Sequence, residues 1–156
     1  MPAILFVCTA NICRSPIAMG ILSQMLEEKR IDGDWRVESA GTWGLEGDPV
    51  VAGSQAVMNN IGIDISEHRA RRVDYELLQV YDLILTMENG HKEALCMEFP
   101  DFSDRIYMLS EMADQKQDIG DPYGGAHSGY EQAAEDIQQY LTDGFETILR
   151  LAAQSN

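Results

Sequence analysis

The stretch Ala3-Ile4-Leu5-Phe6-Val7-Cys8-Thr9-Ala10-Asn11-Ile12-Cys13-Arg14-Ser15-Pro16 decides how this chain is read. Ala3 to Val7 is a short apolar run, which suits a strand buried on both faces of a parallel sheet. Ser15 suits a helix N-cap and Pro16 a first helical residue. Behind them Ala18, Ile21, Leu22, Met25 and Leu26 keep helical spacing through to Arg30. Between strand and helix lies a Cys-x5-Arg loop. Backbone N–H groups in so tight a loop converge on an anion, and the helix behind adds its positive N-terminal end. Arg14 can grip two oxygens of a phosphate or arsenate at once. Cys8 sits at the mouth of a positive field that favours thiolate, the form that attacks a bound phosphoryl group in line. Taken alone, Cys8 is also compatible with an ordinary buried cysteine at a strand end. The strand before it and the Ser-Pro helix start after it favour the anion loop.

Outward from this segment the pattern keeps alternating strand and helix. A second strand is expected at about Asp34 to Ser39, then a Gly-rich loop from Gly41 to Asp48 and a helix from Val50 to Asn60 ended by Gly62. His68 to Arg72 reads as a polar loop, followed by a short helical stretch around Asp74 to Gln79. Tyr81 to Met87 is the clearest internal strand, Asn89 to Met97 the next helix, and Arg105 to Leu109 a fourth strand. From Asp114 to His127 no periodicity is visible, and so long a loop in a compact domain is usually functional or disordered. Ser128 and Glu131 form a capping box. After it Tyr130, Ala134, Ile137, Leu141, Phe145, Ile148 and Ala152 fall on one face of a long final helix. This order implies an α/β fold with a parallel sheet and helices on both faces.

With 156 residues the chain has the size of one domain, expected to span 1–156. Its 26 acidic residues outnumber 11 basic ones, for a net charge of -15. Such a surface repels nucleic acid and anionic lipid, so neither is an expected partner. Residues 1–78 carry 7 basic and 11 acidic side chains and residues 79–156 carry 4 and 15, which places anion chemistry in the first half. No apolar run approaches the ~18 residues of a membrane span, and no basic stretch marks a secretory leader. Three cysteines make a poor disulfide framework. A cytoplasmic protein with reduced cysteines is expected.

Phosphoryl transfer to Cys8 requires an acid for the leaving oxygen. Asp121, in Asp121-Pro122-Tyr123 of the long loop, could protonate a departing phenolate and then serve as base for the water that hydrolyses the phosphocysteine. Asp-Pro alone is foremost a turn former. The motif set nevertheless resembles the low-molecular-weight protein tyrosine phosphatases. Val7 to Pro16, Ser39-Ala40-Gly41-Thr42, His68-Arg69-Ala70-Arg71 and Asp121-Pro122-Tyr123 occur in family order and cover nearly the whole chain. The resemblance implies a flavodoxin-like, three-layer fold with a four-stranded parallel sheet. It also implies hydrolysis of phosphotyrosine in proteins without metal or cofactor, with inorganic phosphate as product and competitive ligand. By position it assigns Cys8 as nucleophile, Arg14 as phosphate clamp and Asp121 as general acid, with Thr9, Ala10, Asn11, Ile12, Cys13 and Ser15 forming the phosphate loop.

Supporting roles follow from the same resemblance. Ser15 matches a serine that donates to the nucleophile thiolate, and Asn11, Ser39 and His68 match a polar network that holds the loop. Without the resemblance, His68 would read as an exposed loop histidine. Asparagine tolerates left-handed backbone, which suits a nest at Asn11. The family usually has glycine where this chain has Ala10, so a positive φ there would be strained. Tyr123 is the expected wall of the phenol slot. The other wall is expected from Trp43 to Leu45, although Trp43 is equally compatible with covering a sheet edge. Cys13 matches a family cysteine able to form a reversible disulfide with the nucleophile; inward packing is the other reading and does not exclude it. Cys96, beside Leu95 and Met97, reads as core. Arg69, Arg71 and Arg72 either add positive potential near the site or form a solvated loop. His91 and His127 give no metal-ligand spacing.

Relatives of the fold supply competing functions. Arsenate reductases need further cysteines to relay a disulfide, and Cys96 is the only one beyond the loop. Protein-arginine phosphatases share Gly124-Gly125 but carry threonine where this chain has Ile12, whose apolar side chain suits an aryl ring. A non-enzymatic phosphate-binding or redox-sensing module would have no need of Asp121.

Overall fold

All six residues of β1, Ala3–Cys8, are buried, and they alternate between two cores. Ile4, Phe6 and Cys8 join one apolar cluster, while Ala3, Leu5 and Val7 join another on the opposite face. A strand flanked in this way must be covered by helices on both sides. The computed structural model, which describes residues 1–44 and 46–154, shows that arrangement. Four strands, β1, β2 (Arg36–Gly41), β3 (Leu83–Thr86) and β4 (Ile106–Met108), run parallel in the order β2-β1-β3-β4. The helices are α1 (Arg14–Glu28), α2 (Ala52–Asn60), α3 (Tyr75–Leu78), α4 (Asn89–Glu98), α5 (His127–Asp143) and α6 (Phe145–Gln154). Residues of α1, α2, α5 and α6 fill the first cluster and Leu78 and Leu95, of α3 and α4, the second. The expected flavodoxin-like, three-layer α/β fold is therefore the observed one.

Strand order positions the site. The chain steps from β1 outward to β2 and then returns to place β3 on the other side of β1. Loops leaving the carboxyl ends of β1 and β3 diverge there, and in open α/β sheets the crevice between them is where ligands bind. Cys8 pairs in register with Gly41, so the Cys-x5-Arg loop and the loop after β2 leave the sheet together. Gly41 cannot carry a side chain, because a Cβ would lie 2.6 Å from the Thr9 carbonyl oxygen.

Several expected boundaries move. β2 begins at Arg36 rather than Asp34 and runs to Gly41, β3 is confined to Leu83–Thr86, and α2 starts at Ala52. Ladder pairing with β1 sets those strand limits, which apolar content does not reveal. Short 3-10 turns, Pro100–Arg105 and Leu109–Ala113, flank β4 and were not anticipated. Ser15 is not a cap: α1 begins at Arg14, with Cys13 as the flanking residue and no side-chain cap. Pro16 still falls in the first turn, where a missing N–H costs nothing. The Ser128–Glu131 capping box does not form either, since α5 starts at His127 behind Ala126. The long final helix is two helices, although the apolar face continues unbroken through both. Gly144 divides them: its N–H closes α5 on the Tyr140 carbonyl and its carbonyl accepts from Ile148. A Cβ at Gly144 would approach Met112 to 2.6 Å. Cys96 is half-buried against the second core rather than inside it, and Met97 is 84% exposed.

Candidate active site

Loop 8–15 wraps over the carboxyl end of β1, and its conformation turns on Asn11. Asn11 is fully buried with φ +61, and it, not Ala10, takes the left-handed backbone. The strain expected at Ala10 does not arise, because the positive φ falls on a residue type that tolerates it. Asn11 Nδ2 donates to Ser15 Oγ at 2.8 Å and to Ser39 Oγ at 2.9 Å. Its Oδ1 accepts from the Arg71 backbone N–H at 3.0 Å, which fixes the amide's orientation. Its carbonyl lies 2.9 Å from His68 Nε2. A carbonyl only accepts, so His68 is the donor. Burial holds the His68 imidazole below its ordinary range, against the opposing pull of that same bond. The three residues of the expected polar network, Asn11, Ser39 and His68, thus meet, and Ser15 joins them through the Asn11 amide.

The nucleophile candidate lies above this network. Cys8 Sγ is 3.0 Å from Ser15 Oγ. With one Ser15 lone pair taken by the Asn11 amide, its hydroxyl proton remains available to the sulfur. A thiolate would receive that proton as a hydrogen bond. This commitment explains why Ser15 caps no helix.

Arg14 is the largest fully buried side chain, 1% exposed. Its Nη1 donates to Glu88 Oε2 and to the Ile119 carbonyl, the latter at 2.7 Å. Nη2 lies 3.7 Å from Asp121 Oδ2, and Nε has no partner among the described residues. One edge of the guanidinium is therefore locked to the protein. The Nε–Nη2 edge remains for the fork-like grip that guanidinium makes on phosphate. Glu88 was not anticipated as a site residue. Its signal was its place immediately beyond β3, the strand beside β1, where the topology aims side chains at the crevice.

A cavity of about 400 Å³ opens over the loop, lined by Cys8, Thr9, Ala10, Ile12, Cys13 and Arg14 below and by Trp43, Asp121 and Tyr123 above. Trp43 and Tyr123 are 68% and 65% exposed, so both stand at the rim, and Trp43 does not cover the sheet edge. Leu45, the far end of the expected wall, lies outside the described residues. Asp121 is fixed locally by the Tyr123 N–H on its Oδ1 at 3.1 Å, while half of its side chain faces solvent. Cys13 packs inward: Ser54 Oγ lies 3.4 Å from its sulfur, and burial pushes its thiol up to about 11. The basic run divides in function. Arg71 is half-buried and donates to the Ser39 carbonyl and the Tyr81 hydroxyl, bracing β2, whereas Arg72 sits 5.3 Å over the Trp43 ring and Arg69 lies exposed. Among the described residues no cluster of histidine, cysteine and carboxylates could hold a metal.

Comparison with known proteins agrees with this geometry. Residues 3–153 match the family model described as low molecular weight phosphotyrosine protein phosphatase. The chain is 39% identical to the probable low molecular weight protein-tyrosine-phosphatase EpsP of Ralstonia nicotianae, over 87% of this chain and 88% of that one. It is 33% identical to a protein-arginine-phosphatase of Geobacillus stearothermophilus, over 88% and 90%. Among solved structures, the low molecular weight protein tyrosine phosphatase from T. tengcongensis superposes with a TM-score of 0.88 at 35% identity, covering 94% of this chain and 99% of that one.

Proposed function

This chain belongs to the low molecular weight phosphotyrosine protein phosphatase family, a family of cysteine-dependent phosphatases, and we propose that its substrate is phosphotyrosine in proteins. In this reading residues 1–156 act as one phosphatase domain. The Nε–Nη2 edge of Arg14 and the loop N–H groups hold the phosphoryl oxygens. Cys8 Sγ attacks phosphorus, the P–O bond to the ring breaks, and Asp121 gives its proton to the phenolate. Asp121, now a carboxylate, takes a proton from water as that water attacks the phosphocysteine. The thiolate leaves with the Ser15 hydroxyl donating to it, and inorganic phosphate departs as product.

The observation that carries the substrate choice is the pocket lining. Ile12 is half-buried in the floor of the cavity that Trp43 and Tyr123 also line. A cavity lined by one apolar side chain and two aromatic ones suits an aryl ring. The arginine-phosphatase relative keeps the alternative substrate in view, since it is 33% identical and a solved arginine phosphatase from Geobacillus stearothermophilus has the same fold. The test is a rate comparison on matched phosphotyrosine, phosphoserine and phosphoarginine substrates. Phosphotyrosine should lead by at least tenfold in kcat/KM; a lead by phosphoarginine would reassign the substrate.

Cytoplasmic location belongs to the same proposal and rests on the three cysteines, all free in the structure. No helix among the described residues is long and apolar enough to cross a membrane. Reversible oxidation through a Cys8–Cys13 disulfide is also part of it. A Cys13 thiol pushed up to about 11 is protonated at neutral pH, so its attack on oxidised Cys8 should accelerate as pH rises. Recovery of activity by thiol reductant after peroxide should be greater in wild type than in Cys13→Ser. Equal recovery would leave Cys13 a packing residue.

A further inference from the structure

One buried titratable side chain at the site has no part in the chemistry above. His91, in the first turn of α4, is 7% exposed. Its Nδ1 lies 3.2 Å from the Glu88 backbone N–H, and its Nε2 lies 2.9 Å from Thr9 Oγ1. A backbone N–H can only donate, so Nδ1 must carry a lone pair. The proton of the neutral ring is then on Nε2, and it is given to the Thr9 hydroxyl. The capping contact at the start of α4 thus sets the tautomer, and the tautomer sets which way the Thr9 hydroxyl is used. With one lone pair occupied by His91, the Thr9 hydroxyl hydrogen is free to be donated into the cavity that Thr9 lines.

We propose that His91 is a positioning residue for phosphoryl transfer, acting through Thr9. It ties the residue that follows the nucleophile to the helix start that supplies the Arg14 counter-ion, and it presents the Thr9 hydroxyl as a donor to an oxygen of the bound phosphate ester. Two elements that share no ladder contact at this point, the loop after β1 and the start of α4, are thereby held in register. Burial, with the charge of Arg14, keeps the imidazole below its ordinary range, so the neutral ring the geometry requires is the one present at neutral pH. The charged groups facing it are Arg14 from α1, Glu88 from the turn after β3, and Asp118 and Asp121 from the long loop. Protonation would turn Nδ1 into a donor and expel the Glu88 N–H. It would also draw the Glu88 carboxylate, 4.0 Å from Nε2, away from Arg14.

The proposal rests on the phosphatase reading. The experiment measures kcat and KM on a phosphotyrosine peptide for His91→Leu, His91→Gln, Thr9→Val and the double variant His91→Leu/Thr9→Val. Glutamine at the third helical position can accept from the cap N–H through its carbonyl and donate to Thr9 through its amide. It should recover activity to within about threefold of wild type, and it cannot titrate. His91→Leu and Thr9→Val should each lower kcat by roughly tenfold, the worth of about one hydrogen bond, with little change in KM. The double variant should be no worse than the worse single one, because both remove the same contact. As pH falls below the ordinary imidazole range, wild type should lose kcat that His91→Gln keeps. Thr9 is exposed, so Thr9→Val keeps the test open if His91→Leu fails to fold. Full activity in Thr9→Val, or additive losses in the double variant, would overturn the positioning role. Inactivity of wild type on every phosphate ester would overturn the phosphatase reading with it.

Discussion

The floor of the site and its rim are built on opposite principles. On the floor, Asn11, Arg14, Ser15 and Ser39 are buried to within 2% of their surface. Every donor of the Asn11 amide, its side-chain oxygen and its carbonyl is engaged. At the rim, Trp43 and Tyr123 are about two-thirds exposed and Asp121 is held by one local turn. A fully satisfied buried network has one arrangement and is costly to disturb. Exposed loop residues adapt, and they are where specificity is commonly carried. In the proposed reading, then, the anion grip and the nucleophile sit on the buried, fully bonded floor, and the choice of leaving group falls to the exposed edge.

The largest losses are expected at the floor. Cys8→Ser should abolish turnover while leaving phosphate binding largely intact, because in the proposed reading Arg14 and the loop N–H groups hold the anion. Calorimetric titration of phosphate beside a turnover assay checks both halves. Arg14→Lys should instead damage binding and rate together, since a point charge cannot replace the planar fork.

At the rim the largest effect should come from Asp121. Asp121→Asn should lower kcat/KM on phosphotyrosine by about 10²–10⁴, the usual worth of general acid–base catalysis. The penalty should shrink on an aryl phosphate whose phenol is already acidic, because that oxygen leaves without a proton. An equal loss on both substrates would make Asp121 a loop-shaping residue only.

Asn11→Ala sharpens the contrast from the side of stability. It leaves Ser15 and Ser39 short of a donor and puts alanine at φ +61, so unfolding free energy should fall by about 1–3 kcal/mol. The same floor should be acid-sensitive. Burial depresses His68 and His91, so an unfolded chain, with imidazoles near ~6.5, takes up protons before the folded one does. Their contribution is whole above that pH and is lost as pH falls from there through the folded values. Urea midpoints at successive pH values between 7.5 and 5.5 should decline, and a flat response would contradict the neutral-ring geometry.

Much of the floor was legible because Cys8, Asn11, Arg14 and Ser15 are contiguous, and Ser39 and His68 lie in recognisable short motifs. Glu88 and His91 were not, for they look like an ordinary helix start until the β3–β1 pairing brings that start to the crevice. Ser15 misled as a cap because its hydroxyl has a better use on the Cys8 sulfur. Ser128 misled because a capping pattern does not show where the preceding turn releases the chain. Gly144 gives no sign of the break in sequence, because the apolar face crosses it without interruption.

Smallest of the expected effects is that of Trp43→Ala, a rise of a few-fold in KM for phosphotyrosine with kcat and stability unchanged. The ring is 68% exposed, and the Arg72 guanidinium that sits over it is exposed as well. A large loss of kcat there would mean that the rim takes part in holding the floor.

Whether Cys8 carries the phosphoryl group in transit can be read by trapping it. Wild-type enzyme mixed with a radiolabelled phosphotyrosine peptide and quenched within milliseconds should hold label on sulfur, in the proteolytic fragment containing Cys8. Cys8→Ser run alongside should show no turnover. Release of labelled phosphate at the full rate by Cys8→Ser, with no label on the wild-type fragment, would contradict the covalent route.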